Sequence, residues 1–331
     1  MKRVLVTGAN GSVGSSLCRY FSERGCRVFG MVRPTSDLRL LDGTKLDLVV
    51  CDLSNSRRPA LPDDLDWVIH AAALTSDVAS DSQCRKHIYE ATENLVAWLA
   101  DSASRLERFV YVSTALVLGF GELGITAKKP GRSADFVPYV RWKRAAEQFV
   151  LGRVRGDGLP VVVLRPADVF GPGDRTSCEQ FCRLASRGVP LIVGNGRRQF
   201  GFCYTGNLCH AVHRACIADG VIGKSYSVMN DKPMSWGRFF GYLQGRLGRP
   251  QRVRVPVAVV RAGAALQEGW RRIDQSYVPT LSRYRALRVT TDTSYDISDT
   301  VTELGYHPDC NEDEQLASIA DWYLGSCACR N

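Results

Sequence analysis

Tyr139 and Lys143 stand four residues apart in Pro138-Tyr139-Val140-Arg141-Trp142-Lys143, a spacing that places a phenol and an ammonium on one face of a helix. A free tyrosine holds its proton up to about pH 10, too tightly for ready exchange near neutrality. A neighbouring ammonium, or the cationic nicotinamide of an oxidised cofactor, would lower that value. Lys143 could in addition hold ribose hydroxyls. The same spacing is common on ordinary helix surfaces, so its meaning depends on its company. Tyr111-Val112-Ser113-Thr114-Ala115-Leu116-Val117-Leu118-Gly119 supplies two adjacent hydroxyls at the C-terminal edge of a strand. One of them can bond a substrate oxygen while Tyr139 passes the proton and a hydride moves between carbon and nicotinamide C4.

A hydride needs a carrier, and the start of the chain offers a seat for one. Gly8, Gly11 and Gly14, in Thr7-Gly8-Ala9-Asn10-Gly11-Ser12-Val13-Gly14, follow the apolar run Val4-Leu5-Val6 and open a helix. Without Cβ atoms such a loop turns tightly and admits a pyrophosphate to the backbone, where the helix N-terminus offers N–H groups and partial positive charge. Asn10, Ser12 and Val13 complete this cofactor loop. The second strand ends Val32-Arg33-Pro34 with no acid at its tip. Arg33 can offer a planar fork of donors to a 2′-phosphate, which selects NADP(H) over NAD. Asp52-Leu53 closes the third strand, where the carboxylate could accept from the adenine amino group. Ala71-Ala72-Ala73 closes the fourth, where small side chains leave room for the cofactor. His70 reads as a packed, hydrogen-bonded histidine.

The elements that must position these residues alternate through the first half. Apolar runs at Val4 to Thr7, Arg27 to Val32, Leu46 to Cys51, Trp67 to His70, Phe109 to Ser113 and Pro160 to Leu164 are continuous rather than alternating, as suits strands covered on both faces. Helical stretches near 13–24, 86–101 and 138–153 supply crossovers. The fold class expected is α/β, a Rossmann doubly wound parallel sheet with a smaller C-terminal substrate lobe. Residues 1–172 are expected to form the dinucleotide-binding domain, rejoined by about 203–218, with 173–331 mainly the substrate lobe after the break at Gly171-Pro172-Gly173.

The 331 residues, 45% of them apolar, can fill such a core. The net charge of +9 is spread along the chain, and no stretch interleaves basic and aromatic residues as a nucleic-acid surface would. Twelve cysteines are scattered without zinc-site spacing; the Cys178/Cys182 and Cys327/Cys329 pairs have no matching partner pair, so no metal is expected. With no secretory segment read ahead of Val4, the thiols are expected reduced in a cytoplasmic protein. No run is long enough to span a bilayer. Arg246, Arg249, Arg252 and Arg254, then Val255 to Leu266 and Trp270-Arg271-Arg272, read as a core helix with solvated arginines at its ends, in preference to a lid.

Together the glycine loop, the Thr114 strand and the Tyr139/Lys143 pair resemble the extended short-chain dehydrogenase/reductase superfamily. Setting Val117-Leu118-Gly119 on that superfamily's Val-Tyr-Gly places Thr114, not Ser113, at its catalytic hydroxyl; Leu118 removes a polar group common there. Leu164-Arg165-Pro166-Ala167-Asp168-Val169-Phe170-Gly171-Pro172-Gly173-Asp174 resembles the segment that wraps the nicotinamide end in relatives, which implies that Pro166 and Val169 meet the cofactor. Asp168 then falls near the substrate, either as a contact or as a loop carboxylate. Thr75 and Phe200 are the other substrate positions implied. Sugar-nucleotide epimerases and dehydratases of the superfamily carry a diphosphate-gripping arginine where Phe200 stands. The run to Asn207 and Gly305-Tyr306-His307-Pro308 is closer to the 3β-hydroxysteroid dehydrogenase-like branch. The resemblance implies an oxidoreductase interconverting a ketone and a secondary alcohol on a small apolar or carboxylated substrate. A sugar-nucleotide epimerase or dehydratase with retained NAD, and a non-catalytic dinucleotide sensor, are the alternatives. A homodimer through the helices near 86–101 and 138–153 is also implied.

Overall fold

The computed structural model describes residues 1–55, 57–100, 106–248, 253–274 and 277–328, apart from the side chains of Arg272 and Ala328; Arg249, Arg252, Cys329 and the end of the helix expected over 86–101 lie outside them. The first half runs β1 (Arg3–Thr7), α1 (Ser12–Glu23), β2 (Arg27–Val32), β3 (Asp47–Val50), β4 (Trp67–His70), α2 (Asp81–Cys84), a π-helical turn at Arg85–Glu90, α3 (Ala91–Ala100), β5 (Arg108–Val112), α4 (Pro138–Gly156) and β6 (Val161–Pro166). The helix expected from 86 begins earlier because Ser80 and Gln83 form a reciprocal capping box. Pro138 at the first turn of α4 needs no N–H partner there, so it starts the helix that carries Tyr139.

The second half continues with β7 (Asp168–Phe170), α5 (Cys178–Ser186), β8 (Gln199–Phe200), β9 (Phe202–Tyr204), α6 (Thr205–Ile217), β10 (Ser225–Val228), β11 (Met234–Ser235), α7 (Trp236–Leu247), α8 (Val257–Ile273), α9 (Arg283–Thr290), α10 (Ser298–Leu304) and α11 (Glu312–Ala328). Seven strands pair in parallel in the order β10-β6-β5-β4-β1-β2-β3. The order reverses between β1 and β4, and crevices outside the carboxyl ends of strands at such a reversal are where this architecture takes ligands.

Side chains alternate across the sheet and bury both faces. Val4, Val6, Val110, Val112 and Leu164 pack with Leu17 and Phe21 of α1 and Leu208 and Val212 of α6. Leu5, Phe29, Tyr111 and Val163 pack on the opposite side with Ile88, Leu95 and Leu99, and with Ala146 and Val150 of α4. Through α6 and the edge strand β10 the chain returns to the sheet late in its course. A third core, rich in aromatic rings, joins Phe170, Phe200, Phe202, Trp236, Phe239 and Phe240 with α5 and α11.

The arginine-flanked segment differs from the core helix expected. α8 lies on the surface: Val260 and Ala264 are buried, but Val259, Leu266, Trp270 and Ile273 are exposed. The reason is that only one narrow stripe meets α9, through Ala286 and its neighbours. Among the described residues, no helix is long and apolar enough to cross a membrane.

Candidate active site

A cavity of about 1200 Å³ follows the carboxyl ends of the strands and runs into the space beside α5, α8 and α9. Its volume exceeds the ~300–1000 Å³ usual for one small ligand, so it has room for a dinucleotide and a second molecule. Gly8, Asn10, Gly11, Ser12, Val13 and Gly14 form one end. Gly8 has φ +67°, and a Cβ there would meet Ala72 Cα at 2.8 Å; one on Gly14 would stand 2.0 Å from the Gly8 carbonyl oxygen. The loop therefore closes only with hydrogen at both positions. Gly11, at the N-cap of α1, brings no side chain to the first-turn N–H groups, which helix geometry leaves without internal partners.

Arg33, Asp52, Leu53, Ala71, Ala72, Ala73 and Thr75 line the same cavity. Arg33 is exposed at the tip of β2, within electrostatic reach of Asp52. One Asp52 oxygen accepts from the Ser54 amide at 2.9 Å and hydroxyl at 2.8 Å. Desolvation works to raise that carboxyl, but these bonds, with His87 and Arg33, hold it below its usual range. His70 is fully buried, with Nδ1 2.8 Å from the Thr7 hydroxyl and Nε2 3.0 Å from the Thr92 hydroxyl. Thr92 donates to the Ile88 carbonyl and Thr7 accepts from the Ala72 amide. The chain of donors thus assigns the ring proton to Nε2. Burial pushes this imidazole down to about 3.

Thr114, Tyr139 and Lys143 come together on the cavity wall with Pro166, Asp168 and Val169. Thr114 hydrogen-bonds the Tyr139 phenol, whereas the neighbouring Ser113 hydroxyl turns away and donates to Glu147 Oε2 at 2.6 Å. Arg165 pairs with the other Glu147 oxygen. Lys143, 2% exposed, donates to the Val112 carbonyl at 2.5 Å and lies 3.4 Å from the Tyr111 hydroxyl. Burial lowers this ammonium to about 7, opposed by Glu147.

The phenol differs from expectation. Burial raises the Tyr139 hydroxyl well above its usual range, with only partial opposition from Thr114. The protein atoms alone do not acidify it, because desolvation of a phenolate outweighs the bond from Thr114. A phenol that keeps its proton is a donor at neutral pH, the state required to protonate an oxygen.

Phe200 is the one substrate position that does not reach the main cavity. It is 1% exposed, stacks on Trp236 with ring centroids 3.9 Å apart, and borders only the small side chamber that Thr114, Asp168 and Arg288 also line. Sequence reasoning also missed Tyr284 and Arg288, one turn apart on α9, and Phe181, Leu184, Leu191 and Val193, which line the far end. The i, i+4 spacing of the first two was visible, but nothing local tied α9 to the strand ends.

Residues 4–228 match the model of the NAD dependent epimerase/dehydratase family. A 2-alkyl-3-oxoalkanoate reductase of Stenotrophomonas maltophilia is 28% identical, with 96% of this chain and 98% of the relative covered. A 3 beta-hydroxysteroid dehydrogenase/Delta 5→4-isomerase of Mycobacterium tuberculosis is 27% identical over 97% of this chain and 90% of its own. Among solved structures, gox2253 superposes with a TM-score of 0.78 at 24% identity, covering 98% of this chain and 99% of that one. A Bacillus cereus UDP-glucuronic acid 4-epimerase in complex with UDP-glucuronic acid and NAD gives 0.74 at 19%, with 98% and 99% covered. The family match spans every strand of the main sheet, both glycine-loop ends and the Tyr139/Lys143 helix, and on that footing the chain belongs to the NAD dependent epimerase/dehydratase family.

Proposed function

We propose that the protein is an NADP-dependent oxidoreductase that interconverts a ketone and a secondary alcohol on a small, largely apolar or carboxylated substrate. One observation carries this reading: Thr114, Tyr139 and Lys143 meet on the wall of a single cavity that joins the glycine loop to an apolar chamber. The nicotinamide, when bound, supplies or takes the hydride. Tyr139 donates the proton to the carbonyl oxygen in reduction, and Thr114 orients that oxygen. Lys143 anchors the nicotinamide ribose from beneath the tyrosine. Residues Gly8, Asn10, Gly11, Ser12, Val13 and Gly14 hold the pyrophosphate, Asp52 and Leu53 flank the adenine, and Ala71, Ala72, Ala73, Pro166 and Val169 border the rest of the cofactor.

Residues 1–172, with 203–218, form the cofactor unit in this reading, and 173–331 mainly close over the substrate. A reductase and a dehydrogenase among the full-length relatives support chemistry on CH–OH groups. A buried phenyl ring at Phe200 speaks against a diphosphate grip at that position. We place the enzyme in the cytoplasm, where its free thiols stay reduced, and as a homodimer.

Arg33 makes the cofactor choice testable. With a 2′-phosphate in its fork, wild type should bind NADPH in preference to NADH, and Arg33→Ala should lose roughly tenfold or more of that preference, the size of a charged hydrogen bond. Equal affinity for both, unchanged by the substitution, would contradict NADP selection. NAD retained through purification would favour an epimerase.

A further inference from the structure

The cavity floor holds a cation that the reaction above does not use. Arg288 Nε lies 3.0 Å from Asp168 Oδ2, with the two side chains 15% and 21% exposed. The rings of Phe170 and Trp236 lie 5.1 and 5.4 Å from its guanidinium carbon. Asp168 is thus the acceptor at that buried Nε, in an ion pair whose angle departs from an ideal hydrogen bond. A guanidinium carries five donors, and enclosing one with so few acceptors is costly.

Position gives the cost a purpose. A side chamber of about 30 Å³ is lined by Thr114, Asp168, Tyr284 and Arg288, all four of which also face the main cavity. Thr114 and Arg288 thus border one small space that opens beside the main cavity. Tyr284 lies within electrostatic reach of Tyr139, Asp168 and Arg288.

We propose that Arg288 binds a carboxylate of the substrate, which is therefore a keto acid or hydroxy acid. Asp168 holds one edge of the guanidinium and leaves the remaining donors to the ligand. A planar fork matches a carboxylate, and a guanidinium whose charge Asp168 already counters suits a monoanion better than a diphosphate. The surrounding Phe181, Leu191 and Val193 take an alkyl chain. This inference rests on the reading of Thr114 and Tyr139 as the groups that hold the reacting oxygen.

Calorimetric titration of the NADP-loaded protein with octanoate tests the site without turnover. Arg288→Gln should weaken octanoate roughly 10- to 100-fold, the range for charged hydrogen bonds; Arg288→Lys should retain part of the affinity, and Asp168→Asn should strengthen it. In parallel, NADPH oxidation with 3-oxooctanoate should show a raised KM in Arg288→Gln, while its methyl ester is unaffected. Unchanged octanoate affinity in Arg288→Gln would overturn the proposal. Should that variant not fold, unchanged or weaker binding by Asp168→Asn would overturn it instead. Arg288-dependent octanoate binding without turnover of either substrate would support the site and count against the reaction.

Discussion

Burial governs Tyr139, Lys143 and His70, and each responds according to the sign of its charged form. Tyr139 keeps its proton because a phenolate there is desolvated, and Lys143 is drawn down toward neutrality because its ammonium is desolvated too. His70 follows the same rule and yields a measurable consequence. Its folded value of about 3 lies below the ordinary 6.5, so as pH falls below 6.5 the unfolded chain takes up the proton first. The contribution of His70 to stability is thus complete above 6.5 and is lost on acidification toward 3, at up to about 1.4 kcal/mol per pH unit. Urea unfolding between pH 7 and pH 4 should show a shallower loss for His70→Gln than for wild type; identical slopes would contradict the assignment. His70 was legible as a packed histidine because better proton donors lay nearby. The raised phenol was not, because i, i+4 spacing reports proximity and says nothing about desolvation. The binding partner of Ser113 was likewise hidden, although Glu147 continues the 139, 143 spacing along the same face of α4.

At the scale of elements, strands buried on both faces announce themselves as continuous apolar runs, and β1, β2, β4 and β5 fall where those runs lie. β10 was not legible: Ser225-Tyr226-Ser227-Val228 alternates, as an edge strand with one buried face does. α8 misled for a related reason, since an apolar composition cannot tell which stripe meets a neighbour. Phe200 shows the same limit at a site position. Its place in the motif pointed to substrate and gave no sign that the stack with Trp236 and the edge contact with Phe170 also make it part of the lobe's core. Phe200→Ala should therefore cost about 3–5 kcal/mol in chemical denaturation, the usual range for a deleted core ring, with cofactor affinity preserved. A cost under about 1 kcal/mol would contradict a core role.

The whole molecule is arranged around a junction. The sheet's switch point supplies the glycine loop, α4 brings Tyr139 and Lys143 alongside β5, and α5, α8 and α9 close the far side with apolar residues and Arg288. The first two parts were legible because their residues are consecutive or separated by one turn. The third was not, because residues near 180, 193 and 284–288 converge only through the packing of the lobe. Proton donation from Tyr139 beside a bound nicotinamide is the central claim, and Tyr139→Phe tests it most directly. Single-turnover oxidation of NADPH with a saturating ketone should fall by at least about a hundredfold, the span of general acid catalysis, while NADPH affinity by fluorescence stays within about twofold of wild type, since removing one hydroxyl leaves the cofactor contacts in place. Turnover near the wild-type rate in that variant would contradict it.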